Sequence, residues 1–161
     1  MTTHIDPFHW VAAGAQAHGD RSFLVTPGGR RVSYRELYDE TARVAAALAA
    51  LGVAAGDRVV LQVDKSVEAI LVYLACLRMG AVLVPLNTAY TAAELDYFLS
   101  DAQPRLAVIR PADRGALEPL AQRAGVAQIA TLAADGAGSL FDARLPRVSI
   151  APLDRPVVPD V

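Results

Sequence analysis

The side chains with the most chemical potential are few and widely spaced. Three histidines, His4, His9 and His18, lie near the N-terminus and could in principle ligate a metal ion. No cysteine or acidic cluster stands at ligand spacing beside them, and a metal site needs such partners. They are therefore predicted to lie in a loosely packed N-terminal segment with one short helix, at about residues 10–17.

Lys65 and Cys76 are the only lysine and the only cysteine of the chain. Lys65 follows a predicted strand, and open α/β sheets bind ligands at the carboxyl ends of their strands. A contact with a phosphate or carboxylate is thus conceivable, but no glycine-rich cradle surrounds Lys65. The neighbouring Ser66 is a good helix N-cap, so a solvated loop lysine is the preferred interpretation. Cys76 lies within an apolar helix and is predicted to be a buried, inert thiol.

The familiar catalytic motifs are missing from the sequence. It contains no G-x-x-x-x-G-K-[ST] loop, no G-x-G-x-x-G after a strand, no G-x-S-x-G, no H-E-x-x-H and no C-x-x-C. The glycine-rich segment 136–139 is a weak signal because no strand is expected directly before it. Asp57, Asp64, Asp96 and Asp101 show no spacing typical of a carboxylate pair. We therefore predict no catalytic, cofactor-binding or metal-binding residue in this chain.

Composition limits the class of protein. The 161 residues are 53% hydrophobic and 20% charged, which is typical of a globular domain. A net charge of -2 gives no electrostatic reason to expect binding to nucleic acid or to an anionic membrane. The single cysteine excludes an internal disulfide and fits a reducing compartment. With no clean apolar run of about 20 residues for a membrane span, we expect a cytoplasmic protein.

Two β-branched runs, 58–63 and 82–86, bracket a run of helical length, 69–77, that is apolar on nearly every face. Parallel strands need such a crossover, so this stretch predicts a βαβ unit. Strands that are apolar at almost every position indicate a sheet covered on both faces. A helix that is apolar all round is expected to be sandwiched within a layered core.

The remaining segments extend this unit in both directions. Runs at 22–26 and 30–33 flank Pro27-Gly28-Gly29, which is a β-hairpin signal. Ser33 and Thr91, each followed three residues later by a glutamate, are predicted to open helices with capping boxes. Further strands are expected at 106–109 and 126–130, with a helix between them that Asp113 could cap. The predicted fold class is α/β: a mostly parallel sheet with helices on both faces and an N-terminal β-hairpin.

The domain boundaries follow from where the alternation of predicted helices and strands stops. Residues 1–145 are predicted to form a single α/β subdomain, of which 1–20 are an N-terminal segment. Four prolines, Pro146, Pro152, Pro156 and Pro159, make 146–161 extended and linker-like. We expect this linker to lead toward a further subdomain that is absent here.

Three motifs in order carry a family resemblance: VSYREL at 32–37, GDRV at 56–59 and LRMGAVLVPLN at 77–87. Together they resemble the adenylate-forming superfamily, which includes acyl-CoA synthetases, luciferases and the adenylation domains of peptide synthetases. The resemblance runs from about residue 20 to the end, and 77–98 is most similar to malonyl-CoA synthetases. It implies the first subdomain of the N-terminal domain of such an enzyme.

The resemblance also implies an activity for the parent protein. ATP and a small carboxylic acid, malonate in the most similar subgroup, would give an acyl-adenylate and pyrophosphate, and CoA would then displace AMP. In the family, the phosphate loop with its lysine, the hinge aspartate and the C-terminal catalytic lysine lie downstream of the region that these 161 residues resemble. The sequence around Lys65 matches the surroundings of neither family lysine. The fragment is thus expected to be inactive alone, to bind no ATP, Mg²⁺ or CoA, and to pack against the remaining subdomains.

A different class of function stays open. The chain could be a free-standing, non-catalytic α/β module that docks on another protein. The reading frame past codon 161 separates the two hypotheses: a continuation with a Ser/Thr/Gly-rich loop and a lysine favours the enzyme fragment, and a natural stop codon favours the module. In the fragment, apolar surface normally covered by the partner subdomain would be exposed, so self-association is expected.

Overall fold

The computed structural model describes residues 7–141. These residues contain five α-helices and six β-strands, and the strands form two sheets. The helices are α1 (Pro7–His18), α2 (Tyr34–Ala50), α3 (Val67–Met79), α4 (Ala92–Ala102) and α5 (Arg114–Arg123), and the strands are β1 (Ser22–Val25), β2 (Arg31–Ser33), β3 (Arg58–Gln62), β4 (Val82–Pro85), β5 (Leu106–Ile109) and β6 (Gln128–Thr131). Short 3₁₀ turns follow at Pro111–Asp113 and Ser139–Phe141. The predicted linker at 146–161 and His4 lie outside the described residues.

The main sheet is parallel throughout, with strand order β4-β3-β5-β6. Strands β1 and β2 pair antiparallel in a separate two-stranded sheet, with Gly29 of the connecting turn at φ +83°. The α/β fold class, the parallel sheet and the N-terminal hairpin are therefore confirmed.

The connections decide which helices cover which face of the parallel sheet. The chain leaves β3 through α3 to β4 on one side, and then returns across β3 through α4 to β5 on the other. Because such crossovers are almost always right-handed, reversing direction moves the helix to the opposite face. Accordingly α1, α2 and α3 cover one face, and α4 and α5 cover the other.

Alternation along β3 distributes its side chains between two cores. Val59 and Leu61 belong to the core under α1–α3, whereas Val60 belongs to the core under α4 and α5. The first core is the larger and includes Phe8, Leu37, Val44, Leu48, Val72, Leu106, Leu132 and Leu140. Burying each such apolar side chain contributes roughly 1.5–3 kcal/mol before the entropic cost of folding. The prediction that both faces of the sheet are covered is confirmed.

Helix α3 departs from the sequence prediction on one strip of its surface. Most of its residues are buried, but Ile70 is 39% exposed and Tyr73 is 46% exposed. The prediction that this helix is buried all round is therefore wrong for the chain by itself. The sheet and α2 cover α3 on one side, and among residues 7–141 no element covers Ile70 and Tyr73.

Helix caps follow the predicted chemistry fully at Ser66 and Thr91 and in part at Ser33, where the hydroxyl caps the helix but the structure shows no return bond from the Glu36 side chain. Ser66 Oγ accepts a hydrogen bond from the N–H of Ala69 at 3.0 Å. Thr91 and Glu94 form a complete capping box, and at Ser33 the hydroxyl accepts from the N–H of Glu36 at 3.1 Å. Asp113 is the exception, because it makes no side-chain cap and its carboxylate binds Arg110 instead.

The last strand begins two residues later than predicted. Gly125 adopts φ +75°, and the N–H of Val126 donates to the carbonyl of Ala121 at 2.9 Å. These two features form a C-terminal cap of α5 in which a glycine adopts the left-handed backbone conformation. Val126 therefore belongs to the helix end, and β6 begins at Gln128.

Candidate functional site

The carboxyl edge of the parallel sheet is where this fold class places ligands, specifically at the point where the strand order reverses. Here the reversal lies between β3 and β5, which are neighbours although they are not consecutive in sequence. Gln62 ends β3, Asp64 follows it, and Arg110 follows β5. The sequence therefore brings an amide, a carboxylate and a guanidinium to this crevice.

An ion-pair network spans the crevice. Arg110 Nη1 lies 3.4 Å from Asp64 Oδ1 across the gap, and Arg110 Nε donates to Asp113 Oδ2 at 2.5 Å. The hydrogen bond that Arg110 donates to Asp113, with the charges of Asp113 and Asp64, raises the pKa of Arg110 above its ordinary value. These three groups carry a formal charge of -1, so this edge has no excess of positive charge for a phosphate or carboxylate.

Lys65 is exposed, in agreement with the prediction of a solvated lysine. It lines an open groove between the hairpin and the first turns of α3, together with Val25, Ile70 and Tyr73. Within residues 7–141 it makes no ion pair. The adjacent Glu68 is occupied, since its Oε1 lies 2.7 Å from Arg30 Nη1.

Cys76 is fully buried in α3, as predicted. Burial raises the pKa of its thiol from 9.0 to about 12, because the low-dielectric interior disfavours the thiolate. The thiolate is the nucleophilic form, so Cys76 is an inert core residue.

The glycine-rich segment 136–139 forms a loop that satisfies its own backbone. The N–H of Ser139 donates to Thr131 Oγ1 and the N–H of Thr131 donates to Ser139 Oγ, each at 3.0 Å. The N–H groups of Gly136 and Ala137 are also used inside the loop. A phosphate cradle needs several free N–H donors, and three of the four N–H groups of 136–139 are already bound within the loop. The preceding strand β6 ends at Thr131, so residues 132–135 separate it from the glycine-rich segment.

The described residues do not present a set of side chains that could bind a metal ion. His9 and His18 are exposed on α1, and residues 7–141 contain no group of three or more His, Cys, Asp or Glu side chains that could hold a metal ion. Mg²⁺ prefers several oxygen ligands in octahedral geometry, and the crevice offers two carboxylates that Arg110 already binds. We therefore derive no step of ATP chemistry from these side chains.

Two buried polar residues were missed at the sequence level. Arg78, 4% exposed, donates to the carbonyl of Tyr38 at 2.9 Å and stacks on the rings of Tyr38 and Phe8. Gln62 is 2% exposed at the end of β3, directly after the apolar residues 59–61. The available signal was the same for both: a single polar residue inside an apolar run.

Comparison with known proteins was made at the levels of sequence and structure. A family model described as AMP-binding enzyme matches residues 11–155. The acyl-CoA ligase SidI of Aspergillus fumigatus is 41% identical over 95 residues, which are 58% of this chain and 16% of that protein. The oxalate–CoA ligase of Arabidopsis thaliana is 36% identical over 93 residues, which are 57% of this chain and 18% of that protein.

A solved structure agrees over a longer range. ATP-bound MatB from Rhodopseudomonas palustris is 41% identical and superposes with a TM-score of 0.79, covering 92% of this chain and 30% of that chain. The chain thus spans less than a third of the length of each of these proteins. Among residues 7–141, no helix has the length and apolar character needed to span a bilayer.

Proposed function

The chain belongs to the AMP-binding enzyme family, and from that premise we propose that it is the N-terminal structural part of an ATP-dependent, AMP-forming acyl-CoA synthetase. The observation that carries the proposal is the agreement with MatB over 92% of this chain. The CoA ligases with 36–41% sequence identity support the same reaction class.

The parent enzyme would join a carboxylic acid to CoA in two steps. The acid attacks the α-phosphorus of ATP, which releases pyrophosphate and gives an acyl-adenylate. The CoA thiol then attacks the acyl carbon and AMP leaves, with the thiol proton passing to a base. Mg²⁺ and cationic or N–H donors would neutralise phosphate charge in the first step. We assign these roles to parts of the polypeptide outside this chain, and we place the parent enzyme in the cytoplasm.

We propose malonate as the acid substrate of the parent. The support is the resemblance of 77–98 to malonyl-CoA synthetases and the 41% identity to MatB. A panel of acids tests this in the presence of ATP, Mg²⁺ and hydroxylamine, which traps the acyl-adenylate as a hydroxamate. The parent enzyme is expected to turn over malonate faster than acetate, oxalate or 3-hydroxybenzoate. A preference for any of the other three acids overturns the assignment.

The remaining subdomains of the same polypeptide are the proposed partner. The uncovered strip of α3 and the neighbouring hairpin together expose Val25 (53%), Ile70 (39%) and Tyr73 (46%). These side chains line the open groove between β1 and α3, a volume of about 760 Å³. Contiguous exposed apolar residues of this kind mark protein–protein contacts, and an isolated two-stranded hairpin is marginally stable without further packing.

The competing proposal, a free-standing interaction module, would use the same apolar groove for a different protein. The reading frame distinguishes them. A continuation beyond codon 161 that contains a Ser/Thr/Gly-rich loop with a lysine is expected for the synthetase. A natural stop codon at that position would contradict it and favour the module.

A further inference from the structure

Helix α1 is joined to the described part of the chain through a small contact. It packs mainly on α2 and α3 and has few contacts with the parallel sheet. Its buried side chains are Phe8, Val11 and Ala15. Trp10, in contrast, is 67% exposed. Only one short apolar stripe therefore holds α1 in place.

The helical conformation of α1 depends on this contact. An isolated helix shorter than about 12–15 residues is marginal in water, and α1 has 12 residues with Gly14 in its interior. Glycine lowers helix stability, but a Cβ at this position would lie 2.6 Å from the Tyr34 ring. The first turn of α1 also contains no acidic residue to interact with the helix dipole. We therefore expect docking and helix formation of α1 to be coupled.

Arg78 forms the most specific part of the contact. Its Cζ lies 5.0 Å from the ring centroid of Phe8 in α1 and 4.5 Å from that of Tyr38 in α2. The two rings stack on each other at 5.9 Å, and Arg78 Nη1 donates to the carbonyl of Tyr38 at 2.9 Å. Arg78 is only 4% exposed, and a desolvated cation interacts more strongly with an aromatic face than an exposed one does. Arg78 thus connects the last turn of α3 with both other helices.

We propose that α1 is a strap that undocks from α2 and α3 as a unit while the parallel sheet stays folded, and that the contact of Phe8 with Arg78 and Tyr38 is the latch that holds it. Segments with few buried apolar contacts open at a lower free energy than the whole protein unfolds. Undocking uncovers the ring of Tyr38 and the guanidinium of Arg78. The strap does not depend on the proposed ligase activity.

Native-state amide hydrogen exchange tests whether α1 opens separately. The exchange rates of the Ala15 amide in α1 and the Val60 amide in β3 are measured by NMR on the 161-residue chain at several urea concentrations. Ala15 is expected to have the smaller free energy of opening and the weaker dependence on urea, because undocking of α1 exposes less surface than global unfolding. Equal opening free energies and equal urea dependence at the two amides would overturn the proposal.

Variants of the latch test the role of Arg78. Arg78→Met removes the guanidinium and is expected to accelerate exchange of the Ala15 amide about tenfold. Phe8→Leu removes the ring, should act in the same direction, and keeps the test valid where Arg78→Met does not fold. Arg43→Met is the matched control, because the Arg43 guanidinium lies over the ring of Phe141 but its side chain is 63% exposed. Unchanged Ala15 exchange in a folded latch variant, or an equal acceleration by Arg43→Met, would overturn the proposal.

A variant on the opposite face of the sheet shows whether the strap is independent of the core. Leu117 belongs to the core under α4 and α5. Because that core stays intact when α1 undocks, Leu117→Ala destabilises the docked and undocked forms equally. It is expected to accelerate exchange of the Val60 amide and to leave exchange of the Ala15 amide unchanged. Acceleration of both amides by the same factor would mean that α1 opens only with the whole molecule, which contradicts the strap.

Discussion

The chemical reactivity of single side chains in this protein depends mainly on whether water reaches them. Cys76 and Lys65 are the two residues that a search for nucleophiles would select first. Cys76 is fully buried, and Lys65 is exposed in an open groove without an ion pair among residues 7–141. Burial raises the pKa of the Cys76 thiol, whereas a reactive thiol needs a lowered pKa in a partly accessible site.

The raised pKa of Cys76 has a consequence for stability at alkaline pH. The unfolded chain loses the thiol proton near pH 9, whereas the folded chain keeps it up to about pH 12. The stabilising contribution is therefore complete below pH 9 and is lost as pH rises toward 12, by up to about 1.4 kcal/mol per pH unit. Urea unfolding between pH 8 and pH 10.5 should show a steeper fall in the free energy of unfolding than for Cys76→Ala. Equal slopes in the two proteins would contradict the burial of this thiol.

The Thr91 cap gives a second test on one side chain. Its hydroxyl accepts from the N–H of Glu94, and Glu94 Oε2 accepts from the N–H of Thr91 at 2.8 Å. The bonds that Glu94 Oε2 accepts from the N–H and from the hydroxyl of Thr91 lower the pKa of Glu94. Thr91→Ala is expected to reduce the free energy of unfolding by about 1 kcal/mol. Thr91→Ser keeps the hydroxyl and should lose much less. A similar loss in both variants, measured by urea denaturation, would rule out the cap as the cause.

Helices, strands and their turns could be predicted here because local chemistry specifies them. The strand at 106–109 was predicted to the residue, and Ser66 and Thr91 both cap helices as expected. Long-range contacts could not be predicted in the same way. Asp113 was expected to cap a helix, but β5 brings Arg110 into reach and the carboxylate binds it instead. Gln62 and Arg78 likewise gain their partners, Asn87 and Tyr38, only through the fold.

The loop after β6 is predicted to be intolerant of any side chain at Gly138. This glycine adopts φ +132°, and a Cβ there would collide with the carbonyl of Thr131. Gly138→Ala should therefore destabilise the chain by about 2 kcal/mol or more. Gly115 in α5 is the matched control, since a Cβ there meets nothing within 4 Å. Gly115→Ala should stabilise by about 0.5–1 kcal/mol. Thermal unfolding that moves both variants in the same direction would refute this description of the loop.

The exposed strip of α3 is predicted to drive self-association of the isolated chain. Replacing Ile70 and Tyr73 together by serine should shift sedimentation velocity profiles toward monomer and reduce binding of a hydrophobic dye. Tyr97→Ser is the matched control, because Tyr97 is 65% exposed on α4 at the opposite face of the sheet. A monomeric unaltered chain that binds no dye would contradict the proposed docking surface. So would an equal effect of the Tyr97 variant.

At the scale of the whole molecule, residues 7–141 form a layered α/β core, and we propose that the catalytic site is assembled elsewhere in the parent polypeptide. The parallel sheet has helices on both faces, and the family match covers residues 11–155. The ion pairs of Arg110 span the crevice where this fold class binds ligands. Fold and family could be inferred from the sequence because their motifs are local and ordered. The acid substrate could not be read from these residues, because side chains in the rest of the polypeptide are expected to form its pocket.

ATP–pyrophosphate exchange is the measurement that tests the central claim most directly. Labelled pyrophosphate enters ATP only where the adenylation step is catalysed in both directions. The proposed longer parent polypeptide is expected to catalyse exchange in the presence of its acid and Mg²⁺, and the 161-residue chain under the same conditions is expected to show none above background. Exchange by the 161-residue chain alone would contradict the account, as would its absence from the longer polypeptide with every acid in the panel.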